Sequence, residues 1–137
     1  MSIGIGANAN KILEDEHTVI YEYGGYNLNE PDYRNAERTC DGTITIQKEC
    51  FAEPEVHEKI KRMPSGKKKL VTKRIPVHVD YEKMLHDGLI KIENCSNCWR
   101  TSEDDLNVDV MACHLLYELF ADYQKESKIP KYVSYYV

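Results

Sequence analysis

The sequence predicts an α+β fold: a mainly antiparallel sheet with a long C-terminal helix packed on one face and two short helices. Three observations carry this. Residues 107–126 repeat apolar side chains at three- and four-residue steps, the spacing of one helix face. Segments 18–23, 43–46, 89–92 and 132–137 have the length and the β-branched or aromatic content of strands. No linker rich in Gly, Ser or Pro interrupts the 137 residues, and 42% hydrophobic content suffices for a core, so one domain spanning 1–137 is expected.

In chain order, residues 3–10 are small and polar and predict a loop, followed by a helical turn at 11–15. Their glycines do not make a phosphate loop, for no strand precedes them and no Gly-Lys-Ser/Thr ending follows. Residues 18–23 alternate as a strand, and Gly24-Gly25 predicts a tight hairpin before 26–28. A long loop covers 29–41, with at most a short helix at 33–38, and Asp41-Gly42 turns the chain into a strand at 43–46.

Glu53-Pro54-Glu55 looks like a first helical turn, with proline where no amide is needed and acids at the positive end of the dipole. With Lys59, Lys61 and Arg62 at the other end and Pro64 beyond, a short helix over 54–63 is predicted. Residues 67–75 read as an exposed basic strand edged by Pro76, with 77–79 extended. Asp80 is a good N-cap for a helix over 81–87, and Gly88 suits its left-handed end. After the strand at 89–92 a polar connection, 95–105, leads to the long helix, which Pro130 forbids from continuing into the last strand.

The long helix is apolar nearly all round. Val108, Met111, Ala112, Leu115, Leu116, Leu119 and Tyr123 form a core stripe, while Val110, Cys113, Tyr117 and Phe120 form a second row. Only His114, Glu118 and Lys125 occupy a polar wedge. The second row needs cover, either from a loop or strand of the same chain or from a partner, which includes a second copy in a homodimer.

Ten tyrosines against two phenylalanines add a second interface signal, because tyrosine offers apolar area with a polar tip. Tyr21, Tyr23, Tyr26, Tyr132, Tyr135 and Tyr136 fall on predicted strands and would make one patch if the first hairpin and last strand were neighbours. The candidate partner-binding residues are therefore Val110, Tyr117, Phe120, Tyr132, Tyr135 and Tyr136.

Net charge is −5, which argues against general binding of nucleic acid or anionic membrane by the whole chain. The distribution is uneven. Residues 59–74 hold eight lysines and arginines and no acid, whereas Glu103, Asp104, Asp105 and Asp109 precede the long helix, and the two runs are expected to attract each other. Lys67, Lys68, Lys69, Lys73 and Arg74, with tyrosines nearby, are candidate phosphate contacts.

Cys95-Ser96-Asn97-Cys98 has the spacing of half a zinc site. Cys113 or His114 on the long helix, or Cys40 or Cys50, would have to complete it, and adjacent Cys113 and His114 project about 100° apart, so only one can serve. A deaminase pattern is not met, since Asp80 stands where His78-x-Glu is required and Asn94 where proline precedes the cysteines. No Cys–His or paired-carboxylate arrangement stands out as catalytic.

No apolar run reaches the roughly 20 residues of a membrane span, and Met1-Ser2-Ile3-Gly4 lacks a signal-peptide pattern. With five cysteines, an odd count, reduced thiols and a cytoplasmic location are expected. The first functional expectation is a non-catalytic, acidic protein-binding module of inhibitor or immunity type, without cofactor. The alternatives are nucleic-acid binding through 67–74, and a small zinc protein or enzyme built on Cys95 and Cys98.

Overall fold

In a computed structural model, which describes residues 3–137, seven strands and two α-helices follow in the order β1 (Ile5–Glu14), β2 (Thr18–Asn27), β3 (Gly42–Gln47), β4 (Glu55–Arg62), β5 (Lys68–Ile75), α1 (Tyr81–His86), β6 (Ile90–Glu93), α2 (Val110–Glu126) and β7 (Tyr132–Tyr136). Met1 and Ser2, part of the opening read for a signal, lie outside the described residues. Five strands form an antiparallel sheet in the order β6-β3-β2-β1-β7, and β4 with β5 makes a separate two-stranded sheet. The α+β class expected from the sequence is therefore the observed one.

Strand alternation sorts the large sheet into two faces. Ala7, Ala9, Val19, Tyr21, Tyr23, Ile44, Ile46 and Val133 point inward and meet Met111, Ala112, Leu115, Leu116 and Leu119 of α2. Each fully buried leucine there contributes about 1.5–3 kcal/mol. The opposite face carries Asn8, Asn10, Glu22, Thr43, Thr45 and Ser134, polar and partly exposed.

Three local expectations are corrected. Residues 5–14 are a strand, not a loop leading to a helical turn: Ala7 and Ala9 are small because α2 lies over them, and Asn8 and Asn10 face the other way. Gly24-Gly25 is no hairpin turn but the interior of β2. A Cβ on Gly24 would stand 2.1 Å from the Thr39 carbonyl, so glycine serves close passage of the 35–41 loop. The helix expected over 54–63 is strand β4, one arm of a hairpin.

The other elements stand close to expectation. Asp80 caps α1 by accepting from the Lys83 amide, and Gly88 follows at φ +78°. Asp109 caps α2 through the Met111 amide at 2.9 Å, and Ser127 ends it in the left-handed region. In the 29–41 loop the helical piece is a single 3-10 turn at Pro31–Tyr33.

The second row of α2 finds most of its cover in the same chain. Phe120 is 4% exposed and meets Phe51 edge-on, with centroids 5.3 Å apart. The segment 76–79 straps across α2, where the Gln124 side chain accepts from the Val77 amide at 2.7 Å and donates to its carbonyl at 2.9 Å. Val110 and Cys113 are half-buried. Tyr117, at 63%, is the exposed member of the row.

Candidate functional site

The hairpin β4–β5 stands apart from the rest of the molecule in exposure and in charge. Of its sixteen strand residues, fifteen are exposed, which requires both faces to be open to solvent. Eight paired residues in each strand, Glu55↔Ile75 to Arg62↔Lys68, give a ribbon roughly 27 Å long at about 3.4 Å per residue.

The sequence makes a hairpin here because two β-capable runs flank Met63-Pro64-Ser65-Gly66-Lys67. The Met63 amide donates to the Lys67 carbonyl at 2.7 Å, and the Gly66 amide returns to the Met63 carbonyl at 2.8 Å. Gly66 has φ +85°, which glycine adopts at little cost. Pro64, read as a helix stop, is a turn residue at the tip.

Both roots of the ribbon are pinned to the end of α2. On the β4 side Pro54 is buried, Phe51 packs on Phe120 and Tyr123, and the Tyr123 hydroxyl donates to Glu53 at 2.5 Å. On the β5 side Arg74 donates to the Lys125 carbonyl at 3.0 Å, followed by the Val77–Gln124 pair. A groove of about 290 Å³ lies at this root, between the strap and α2, lined in part by His78, Tyr81 and Tyr117.

Residues 55–75 carry eight lysines and arginines against two glutamates, a net +6; the whole chain carries −5, so the remaining 116 residues carry −11. Among the described residues, none of these eight cations lies within ion-pair distance of a carboxylate; the ribbon's one such contact is His57 to Glu55 at 3.2 Å. The attraction expected between the basic run and the 103–109 acids is thus not among the ion pairs formed. Unpaired cations repel one another along the ribbon, and a two-stranded sheet alone in water is marginal, so an anionic partner would stabilise it.

Of the residues singled out from sequence, Lys68, Lys69, Lys73 and Arg74 lie on β5 and Lys67 at the turn. Lys59, Lys61 and Arg62, assigned to a helix, join them on β4. Val56 and Ile60 stand four residues apart with Glu58 between them, a spacing that suits a helix face as well as a strand, so the local sequence carried no signal for β4. The tyrosines expected beside the basic strand are not on the ribbon at all.

The tyrosines also fail to form one patch. Strand β1 separates β2 from β7. Tyr21 and Tyr23 are buried beneath α2, and Tyr135 faces the same way, stacked flat on His114 with centroids 4.2 Å apart. Tyr26, under the guanidinium of Arg38 at 4.3 Å, and the exposed Tyr132 and Tyr136 lie on the opposite face.

Cys95, Cys98 and Cys113 gather around the start of α2, but around a carboxylate. Buried Asp109 accepts from the Tyr23 hydroxyl at 2.9 Å, and the Cys95 thiol lies 3.4 Å from the same oxygen. Tyr23 in turn accepts from the Cys95 amide at 2.9 Å. Burial, reinforced by Asp109, pushes the Cys95 thiol up to about 12 and those of Cys98 and Cys113 up to about 11. Burial therefore favours the protonated form of all three thiols in the free chain. Among the described residues no group of three or more His, Cys, Asp or Glu side chains is arranged to hold a metal, and the ring of His114 stacks on Tyr135.

No family model, curated protein or solved structure matches the chain. Among the described residues no helix is long and apolar enough to cross a membrane.

Proposed function

We propose that the chain is a non-catalytic nucleic-acid-binding protein whose working element is the β4–β5 ribbon. One observation supports this above the others: a two-sided exposed hairpin concentrates +6 in 21 residues, on a body carrying −11. Lysine ammonium groups on a free-standing ribbon can follow a phosphate backbone and release its counterions. The acidic body is repelled by the same phosphates, so it orients the chain with the ribbon forward.

The inhibitor-type reading leaned on the second row of α2. With Phe120 enclosed by its own chain, that row offers a partner little beyond Tyr117, while Tyr132 and Tyr136 stand on another face. The ribbon is the larger unsatisfied surface. Cytoplasm is the proposed compartment, where nucleic acid is present and five free thiols remain reduced.

Anisotropy of labelled nucleic acid titrated with the full-length chain tests the proposal. Binding at about 50 mM salt is expected, with log affinity falling against log salt by about 0.7–0.9 per phosphate contacted. Lys67→Glu/Lys68→Glu/Lys69→Glu is expected to weaken it tenfold or more. Absence of binding at low salt, or binding indifferent to salt and to the triple variant, would contradict the proposal.

A further inference from the structure

The ribbon holds two chemistries, and its register distributes them unevenly: the face with three apolar side chains also carries Glu58, Arg62, Lys68 and Arg74, and the face with four lysines also carries Val71 and Ile75. Val56↔Arg74, Glu58↔Thr72, Ile60↔Leu70 and Arg62↔Lys68 share one face, which therefore bears an apolar row of Val56, Ile60 and Leu70. The alternate pairs, His57↔Lys73, Lys59↔Val71 and Lys61↔Lys69 among them, put four lysines on the other face. Ile60 and Leu70 sit directly opposite each other, 66% and 56% exposed, and Val56 is 56% exposed.

Phosphate contact alone does not call for that apolar row. A partner that satisfies both faces must present apolar groups flanked by anions within the width of two strands. The major groove of B-form DNA does so: it is about 12 Å wide and 8.5 Å deep, admits a two-stranded ribbon, and exposes thymine methyls on its floor between phosphate ridges.

The other nucleic acids fit less well. Single strands are held by stacking on aromatic rings, and residues 55–75 contain no Phe, Tyr or Trp. Duplex RNA has a major groove too narrow and deep for side chains to read.

From this we infer that the ribbon enters the major groove of duplex DNA with Val56, Ile60 and Leu70 toward the base edges. Lys59, Lys61, Lys69 and Lys73, on the outer face, extend their flexible stems to the phosphate ridges. Arg62 and Lys68, on the inner face next to the tip, are placed to donate to guanine acceptors. The inference rests on the nucleic-acid reading above and adds the kind of nucleic acid, the groove and the face.

The test compares three labelled probes of one sequence at the same low salt: a DNA duplex, its single strand and the corresponding RNA duplex, each titrated with the full-length chain. The DNA duplex is expected to bind at least about tenfold more tightly than either other probe. Ile60→Thr/Leu70→Thr, which keeps strand-compatible side chains, is expected to lower duplex affinity to that of the single strand and to leave the single strand's unchanged. Equal affinity for the DNA duplex and either other probe overturns the inference while leaving the nucleic-acid reading standing. Failure to bind any probe overturns both. A dimer in sedimentation that the double variant converts to monomer, with duplex preference intact, assigns the apolar row to a second copy and also overturns the inference. The three-probe comparison on the unaltered chain decides without the variant, should the variant misfold.

Discussion

The sheet with α2 and the β4–β5 ribbon are built from the same alternating strands, yet they solve opposite problems. In the sheet every inward side chain has a partner: Ile44, Ile46 and Tyr21 meet a helix whose leucines are fully buried. In the ribbon neither face has one beyond the Arg74 bond at the root, although Ile60 opposes Leu70 as directly as any pair in the sheet. What separates them is what lies across from each strand. Burial makes the sheet a scaffold, and its absence leaves the ribbon exposed on both faces, the surface on which the proposed function rests.

Stability measurements give the sharpest way to break this contrast. Leu115→Ala should cost about 2–5 kcal/mol in urea unfolding, because the cavity lies between helix and sheet. Ile60→Thr, which shortens and makes polar a side chain of similar size on the ribbon, should stay within about 0.5 kcal/mol. A ribbon substitution as costly as the core one would show that the hairpin is packed against something in the free chain.

Next in size is the junction under α2. Asp109→Ala removes the acceptor of the Met111 amide and of the buried Tyr23 hydroxyl, so a loss of about 2–4 kcal/mol is expected by chemical denaturation. Tyr23→Phe should cost less, since the cap remains.

The ribbon charges should then show the reverse pattern. Lys67→Glu/Lys68→Glu/Lys69→Glu, expected to weaken nucleic-acid binding tenfold or more, should leave the urea midpoint nearly unchanged, which titration and unfolding of the same sample would check.

The regions also separate by pH. Cys50, Cys95, Cys98 and Cys113 have thiols raised by burial from about 9 to about 11 or 12, and no cysteine lies on the ribbon. Between those values the folded chain holds protons that the unfolded chain has lost, so stability falls as pH rises above about 9. Urea midpoints measured on either side of pH 9 should show this decline, and Cys95→Ala should flatten it.

Much of this architecture is legible in the amino-acid order. Asp80 and Gly88 bracket α1, the three- and four-residue steps define α2, and β3 and β6 follow from short β-branched runs. Strand β1 is not legible, because its inward positions are Ala7 and Ala9, sized for a close helix, and small residues between asparagines look like a loop. The 54–63 segment misleads for another reason. Its proline and its charge gradient suit a helix, and only pairing with 68–75 across a short Pro-Ser-Gly turn makes it a strand, a long-range fact that local propensity does not contain.

The candidate site was legible in part for the same reason. The basic run is visible from composition, but its doubling depends on Lys59, Lys61 and Arg62 joining from the opposite strand. The gathering of Val56, Ile60 and Leu70 on one face and of four lysines on the other depends on register, which exists only once the hairpin closes. The tyrosine patch misled because β1, unrecognised, lies between β2 and β7.

Amide chemical shifts of the isotope-labelled full-length chain, followed as duplex DNA is added, test the central claim most directly. The account predicts changes confined to residues 55–75 and largest at Lys59, Ile60, Lys61, Lys69, Leu70 and Lys73. Changes centred on Tyr117 or on Tyr132 and Tyr136, or no changes at low salt, would contradict it.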